Sequence, residues 1–411
     1  MRINGYFAGT ACMDLSVIIV NYRVKYFTEY CLRSVLAASR GLEAHLIVVD
    51  NHSGDGSLEY LEPLFPEVHF IRNDQNLGFG AANNQAARLV EEGPLLLLNP
   101  DTMIGEDCLE RCIRFLKDHP DTGSLGVRMI DGRGRFLRES KRGFPSPMVS
   151  FYRMTGMTRL FPRSAKFSHY YLGQLPENQT NPAEVVAGAF CLIPHKAWQQ
   201  VGGFDEDFFL YGEDIDLSYR LSRAGYHNYY LGDLSILHFK GVSSGQETRQ
   251  YLRMFHQAMK IFVRKHFRKG RTLFSYAAIQ SAISLRSAIA QASGRLFFMR
   301  KKDRSFTRSG APYILVGYAE DCFEAARALP GPAAPDDILG IVFPGWDQDP
   351  PEGYLGTFQG IPALAKKHRG CRFILCQGKF RFGEIIRLID SKNRPPRFLV
   401  HASGSSAFLE P

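Results

Sequence analysis

Short apolar runs, each closing in polar residues, recur along the first half of the chain. Leu15 to Val20 is continuous, β-branched and of strand length, which predicts a strand buried on both faces of a parallel sheet. After Asn21 and Tyr22, the stretch Phe27 to Ala38 sets Tyr30, Leu32, Val35 and Leu36 at helical spacing. Ala44 to Val49 reads as the second strand and ends in Asp50-Asn51-His52-Ser53-Gly54-Asp55-Gly56. This strand, helix, strand unit puts its polar residues at the carboxyl ends of strands, where open α/β sheets hold ligands. A third short strand, Val68 to Arg72, leads into Asn73 to Asn84, whose Gly78 and Gly80 permit a tight turn before a helix running through Val90. The fourth strand, Pro94 to Leu98, runs straight into Asn99-Pro100-Asp101-Thr102.

Further on, Glu106 to Leu116 predicts a helix and Ser124 to Ile130 a strand. Arg138 to Pro182 is basic, aromatic and aperiodic, a long excursion suited to shaping a substrate cleft. Val185 to Ile193 returns to buried-strand character, with Gly188 and Ala189 allowing close approach of a ligand or another backbone. His195 to Val201 reads as a short helix and Ile215 to Ala224 as another. Tyr226 to Leu237 alternates between strand and turn and delivers His238 at its end. Together these predict one mixed α/β domain over residues 14–245.

Residues 246–305 differ. Tyr251 to Phe267 sets Leu252, Phe255, Met259, Phe262 and Val263 on one helical face with cations elsewhere, and a second helix, Leu273 to Phe298, ends in Arg300-Lys301-Lys302. The pattern fits a peripheral anchor on anionic lipid, and equally a helix pair packed on the catalytic domain or on a second subunit in a homo-oligomer. From 306 to 411 strands and helices alternate again, predicting a small parallel α/β domain. Its first turn has a single Gly317 where a full dinucleotide fingerprint has three glycines, so regulation, docking or dimerisation suits it better than catalysis.

Composition narrows the class. The 411 residues are 45% hydrophobic and 12% aromatic, ample for buried cores. No compact apolar region follows a basic start, and the longest apolar runs are far too short to span a bilayer, so a cytoplasmic protein, or one peripheral at the inner face of the plasma membrane, is expected. The 8 cysteines show no metal spacing or paired motif, which suits buried thiols in a reducing compartment and makes the sequons at Asn51 and Asn178 chance matches. The net charge of +9 is concentrated between Lys240 and Ser309, where only Glu247 and Asp303 oppose the cations. That asymmetry points to an anionic surface as partner; no nucleic-acid partner is expected.

The chemistry centres on Glu213, Asp214 and Asp216, reached through Phe208-Phe209-Leu210-Tyr211. Carboxylates this close repel unless a cation, an arginine or solvent separates them, and crowding raises the proton affinity of at least one. A general base working near neutral pH is made that way. Acids also favour the dipole of a helix N-terminus, and the run alone leaves both readings open. Trp198, Phe204, Phe208 and Tyr211 suit core packing or stacking on the apolar face of a ligand.

Taken in order, Ser16 to Tyr22, Val48 to Gly56, Asn76 to Asn84, Leu98 to Thr102, Gly188 to Phe190, Gly212 to Leu217 and His238 resemble the motifs of family 2 glycosyltransferases with the GT-A fold, in the rhamnosyltransferase and galactofuranosyltransferase branch. The resemblance covers roughly residues 14–265. It implies an inverting, metal-dependent transfer of a sugar from a UDP- or dTDP-sugar to a hydroxyl of a cell-surface glycan or lipid-linked acceptor. By the same resemblance Asp101 and His238 ligate Mn²⁺ or Mg²⁺, with Asn99 contacting the sugar or a metal-bound water. Asp50 reads the nucleobase, with Asn21 and Tyr22 around the same base and Asn84 a further donor contact. Asp214 is the general base, Glu213 orients the acceptor, and Asp216 holds Arg220 four residues on.

Two other readings make different demands. A sugar-nucleotide pyrophosphorylase needs a glycine-rich, lysine-bearing phosphate loop after the first strand, which Asn21-Tyr22-Arg23 does not supply. A non-catalytic nucleotide-sugar-binding scaffold would keep its function without Asp214.

Overall fold

The computed structural model describes residues 15–146, 148–149, 152, 156–239, 249–266, 312–329, 338–343, 353–368, 371–390 and 398–409. The expected helix Leu273 to Phe298 and the Arg300-Lys301-Lys302 cluster lie outside the described residues.

The first unit forms as its pattern predicts. β1 (Leu15–Asn21) is buried along its whole length and is followed by α1 (Lys25–Ala38) and β2 (Ala44–Asp50). A short α2 (Ser57–Leu61), not anticipated, precedes β3 (His69–Arg72), α3 (Phe79–Ala87) and β4 (Leu95–Leu98). β5 (Thr102–Met103), α4 (Cys108–Asp118) and β6 (Thr122–Ile130) come next. The excursion contains β7 (Lys141–Arg142), α5 (Met157–Leu160) and β8 (Asn181–Pro182), and then come β9 (Val185–Val186), β10 (Phe190–Ile193), α6 (His195–Val201), α7 (Glu213–Arg223), β11 (His227–His238) and α8 (Arg249–His266).

The main sheet runs β3-β2-β1-β4-β10-β6-β11-β5, with β8 beside β11. The first four strands are parallel, β10 runs against β4 and β6, and β11 runs with β6. Alternate residues of β1 serve opposite faces, as a pleated strand requires: Val17 and Ile19 pack with α1 and α4, Ile18 and Val20 with α3, α6 and α7. Because β1, β2, β4, β6 and β11 share a direction, their polar ends gather at one edge. This mixed α/β sheet with a polar strand edge agrees with the fold class read from the sequence pattern.

Two expectations need correction. Val185 to Ile193 is not one strand: Val185–Val186 pairs with β7 in a separate ribbon, while Phe190–Ile193 joins the main sheet. Ala187 to Ala189 leaves the ladder between them, the Gly188 N–H donating to Asp214 instead of to a neighbouring strand. Tyr226 to Leu237 falls almost wholly in one long strand, His227–His238, rather than strand and turn, with register shifts between His227 and Asn228 and between Leu231 and Ser235.

The second sheet is wholly parallel, in the order β14-β13-β12-β15-β16. Its elements are β12 (Tyr313–Val316), α9 (Ala319–Ala328), β13 (Ile338–Val342), β14 (Tyr354–Gly356), α10 (Ile361–Lys367), β15 (Arg372–Gln377), α11 (Phe382–Asp390) and β16 (Phe398–Ala402). It is seated on the first. Tyr30, Met103, Ile130, Leu237 and Phe239 share one apolar cluster with Phe380, Phe382, Ile385 and Ile389. The buried Tyr30 hydroxyl donates to Ala407 O (2.6 Å) and accepts from the Ala402 N–H (2.9 Å). α11 is fastened at both ends: the Glu106 carboxylate accepts from the Phe382 and Gly383 N–H groups (2.7 and 2.9 Å), and Asp390 accepts from Arg128 Nη1 (2.6 Å) and Ser235 Oγ (3.0 Å).

A carboxylate on otherwise unpaired N–H groups at a helix N-terminus is a charge-assisted cap. Replacing Glu106 by Ala should therefore lower stability by about 1–2 kcal/mol in a denaturant titration. An unchanged midpoint would show that this contact does not hold the two sheets together.

Candidate active site

At the nucleotide end, the carboxyl ends of β1 and β2 adjoin. Asn21 is fully buried, and its Nδ2 donates to Asp50 Oδ1 (2.7 Å) and Ser53 Oγ (3.0 Å) while Oδ1 accepts from Thr28 Oγ1 (2.8 Å). With every polar atom engaged, Asn21 holds Asp50 rather than presenting an amide to a ligand. The Ser53 N–H fixes the other Asp50 oxygen (3.1 Å). Tyr22 is half-buried next to them, with the Arg23 guanidinium 5.1 Å from its ring centre. Asn84 stands apart from this group. Its amide clamps the turn before α7, accepting from the Phe204 N–H (2.9 Å) and donating to Phe204 O (2.9 Å) and Glu206 (3.0 Å). Its work in this structure is to shape that turn. Asp55 receives the Ser57 N–H (3.1 Å), ordinary turn chemistry.

At the centre of the edge, β4 delivers Asn99 and Asp101, and β11 delivers His238, which pairs in register with Thr102. His238 Nε2 lies 3.3 Å from Asp101 Oδ1. Both side chains are buried, and Asp101 Oδ1 and His238 Nδ1 have no hydrogen-bond partner. Buried polar atoms left unpaired are costly and point to a missing partner. A carboxylate and an imidazole side by side are donors that fit a divalent cation.

The third part is α7. Tyr211 and Gly212 both take left-handed backbone (φ 70° and 87°), a conformation unfavourable for tyrosine, and so turn the first helical residues inward. The Gly188 N–H donates to Asp214 Oδ2 (3.2 Å), and a Cβ on Gly188 would lie only 3.4 Å from Asp214 Cβ. Asp214 Oδ2 is also ion-paired with Arg142 of β7, whose side chain is 10% exposed. Glu213 is buried, with Oε2 unpartnered. Burial, reinforced by the charge of Asp214, pushes its pKa from 4.5 up to about 8. Burial also works against charge on Asp216, but His266 Nε2 (2.6 Å) and Arg220 Nε (2.7 Å) outweigh it and hold Asp216 below its ordinary pKa.

The parts meet around a cavity of about 270 Å³ whose lining includes Asn99, His238, Arg142, Gly188, Glu213 and Asp214, with Tyr170, Tyr171 and Tyr211. Asn21, Tyr22 and Asp50 lie outside that lining, at the ends of the strands beside β4. Trp198, Phe204 and Phe208 are core residues, at most 7% exposed, which leaves Tyr211 as the one of the four aromatics facing the cavity. Arg142 is the residue that sequence reasoning missed. Its signal was the need for a cation beside the crowded acids, but it sits 72 residues before Asp214 among many other cations.

A strand-edge cavity lined by an imidazole and an acidic helix start suits group transfer. Residues 16–176 match the family model for glycosyl transferase family 2, and the chain carries a domain of that family. It is similar to the N-acetylglucosaminyl-diphospho-decaprenol L-rhamnosyltransferase of Mycobacterium tuberculosis (strain ATCC 25618 / H37Rv), 28% identical over 68% of this chain and 96% of that protein. Rhamnosyltransferase WbbL of Escherichia coli (strain K12) is 29% identical over 39% of this chain and 61% of its own. Among solved structures it resembles the mannosyltransferase PcManGT from Pyrobaculum calidifontis in complex with GDP-Man and Mn²⁺, at 16% identity over 71% of this chain and 82% of that one, with a TM-score of 0.43.

Because Glu213 keeps its proton in the folded protein up to about pH 8 while the unfolded chain releases it near 4.5, the folded state binds the extra proton across that interval and stability falls as pH rises through it. Glu213→Gln, which cannot ionise, should therefore gain stability over the wild type progressively from pH 5 to pH 8. Denaturation midpoints that run parallel across this range would place the titration elsewhere.

Proposed function

We propose that the protein is an inverting, metal-dependent glycosyltransferase that moves a sugar from a UDP- or dTDP-sugar to a hydroxyl of a cell-surface glycan or a lipid-linked acceptor. The observation that carries this reading is the cavity whose wall holds His238, partnered behind it by Asp101, at one part and the α7 carboxylates Glu213 and Asp214 at another. The name of the mycobacterial relative, with its diphospho-decaprenol acceptor, supports a lipid-linked acceptor.

Asp101 and His238 would hold the divalent cation, and the mixed oxygen and nitrogen donors favour Mn²⁺ over Mg²⁺. A cation there supplies neutralisation of the charge that grows on the leaving diphosphate. Asp50, fixed by Asn21 and Ser53, accepts the imide N–H of a uracil or thymine. Asp214 takes the proton from the acceptor hydroxyl as that oxygen attacks the anomeric carbon from the face opposite the diphosphate, so one displacement inverts the configuration. Arg142 and the Gly188 N–H orient the Asp214 carboxylate for this step.

A second assignment within the same mechanism is favoured by the buried, raised-pKa Glu213. An acid titrating near 8 suits proton transfer at neutral pH, and Glu213 lines the cavity with a buried Oε2 that has no hydrogen-bond partner. The two carboxylates separate by mutation. With Asp214 as base, Asp214→Asn should bind donor normally yet lose at least about 100-fold in transfer, while Glu213→Gln loses far less. The reverse order would assign the base to Glu213.

The donor class is tested by incubating the protein with Mn²⁺ and a panel of sugar nucleotides. Slow nucleoside diphosphate release with a UDP- or dTDP-sugar is expected, and Asp101→Asn should abolish the Mn²⁺-stimulated release. No release and no donor-induced thermal shift with any donor would overturn the proposal.

A further inference from the structure

The excursion between β7 and β8 carries a surface that the transfer chemistry does not use. From Ser140 to Pro176 the chain has no Asp or Glu, while Arg159, Arg163 and Lys166 are exposed. At the end of α5, Leu160 is 70% exposed and Phe161 49%. Large apolar side chains left in water within an acid-free, cationic segment mark an interaction surface rather than ordinary solvation.

This surface is built on a fixed base. Thr158 Oγ1 donates to Phe167 O (2.7 Å), and the Phe167 ring lies 5.3 Å from Phe161 and 4.9 Å from Tyr152. The chain then passes within a few residues to Tyr170 and Tyr171, which line the cavity with Arg142 from the same excursion. α8, where a membrane anchor was one expectation, is committed elsewhere along its described end: Ala258 and Phe262 are buried with Phe208 and Ile215, and Lys265 is paired with Asp205 and Asp207. Among the described residues no helix is long and apolar enough to cross a membrane.

We propose that the α5 tip docks on an anionic lipid bilayer, Leu160 and Phe161 entering the boundary between headgroups and acyl chains while Arg159, Arg163 and Lys166 meet the headgroups. Apolar insertion and cationic attraction are the two components of interfacial binding, and the tip has both. The absence of acids favours a lipid surface over a protein partner, whose mixed charges would need both signs. Docking there sets the wall formed by Tyr170 and Tyr171 beside the bilayer. This deepens the reading of a lipid-linked acceptor and rests on it for its purpose, but not for its test.

The test is co-sedimentation of the full-length protein, without acceptor, with phosphatidylcholine vesicles containing or lacking about 30 mol% phosphatidylglycerol. The wild type should sediment with the anionic vesicles and lose binding as salt rises. A Leu160→Ser/Phe161→Ser variant and, separately, an Arg159→Ser/Arg163→Ser/Lys166→Ser variant should each bind at least about tenfold more weakly. Both should keep wild-type nucleoside diphosphate release, which shows that they remain folded and active. Wild-type sedimentation of both variants, or no sedimentation of the wild type, would overturn the docking surface. Absence of nucleoside diphosphate release from every protein, with the vesicle pattern intact, would count against the transferase reading and leave the docking surface supported.

Discussion

Two carboxylates side by side at the start of a buried helix are hard to keep, and the Arg142–Asp214 ion pair is what permits it. Without a cation, desolvation and mutual repulsion would work against two charged acids here and push the helix outward. Arg142 reaches Asp214 because β7 pairs with β9, so the ribbon that departs from the main sheet is the device that brings a positive charge to the acids. The same diversion frees the Gly188 N–H, which donates to the Asp214 carboxylate. The broken strand and the buried acids are therefore one feature.

The Asp101–His238 pair is supported differently. β5 has only two residues, and its pairing with the end of β11 is all the ladder it has. Behind it, Met103, Leu237 and Phe239, which flank the pair in the chain, are packed into the apolar cluster of the second sheet. The C-terminal unit is thus part of the wall that keeps a marginal strand pair in register. That gives it a mechanical role, and the interface is fastened by buried apolar contacts, by the Glu106 cap at the start of α11 and by the largely buried Arg128–Asp390 ion pair at its end rather than by fully exposed ion pairs, which contribute little.

The fold was legible wherever burial is two-sided. β1, β2 and β4 are continuous apolar runs because both their faces are covered, and the polar residues that end them announce the ligand edge. Legibility failed where a role depends on a partner distant in the chain. Asn21 reads as a ligand contact until Asp50, Ser53 and Thr28 are seen to use up its amide, and Asn84 likewise until the Phe204 turn is seen around it. Trp198, Phe204 and Phe208 have the side chains of a sugar platform but the environment of a core. The seat of the second sheet was invisible, since Tyr30, Met103 and Ile130 are ordinary hydrophobic positions until the surface they cover is known.

The three acids of α7 show how environment divides identical chemistry. Asp216, one turn into the helix, faces His266 and Arg220 and is held ionised, which ties α8 to the motif helix and makes it structural. Asp214 is ion-paired with Arg142 but still borders the cavity, so it combines a fixed orientation with access. Glu213 lacks a direct cation and sits nearest to neutrality by burial, with one oxygen unpaired. A group that holds its proton until an approaching charge changes the balance is well placed to sense that charge. A cation at Asp101 and His238 would supply a positive potential in the same cavity, lowering the proton affinity of Glu213 and favouring the ionised pair. On the proposed reading, cation binding at Asp101 and His238 and ionisation of Glu213 would therefore favour each other.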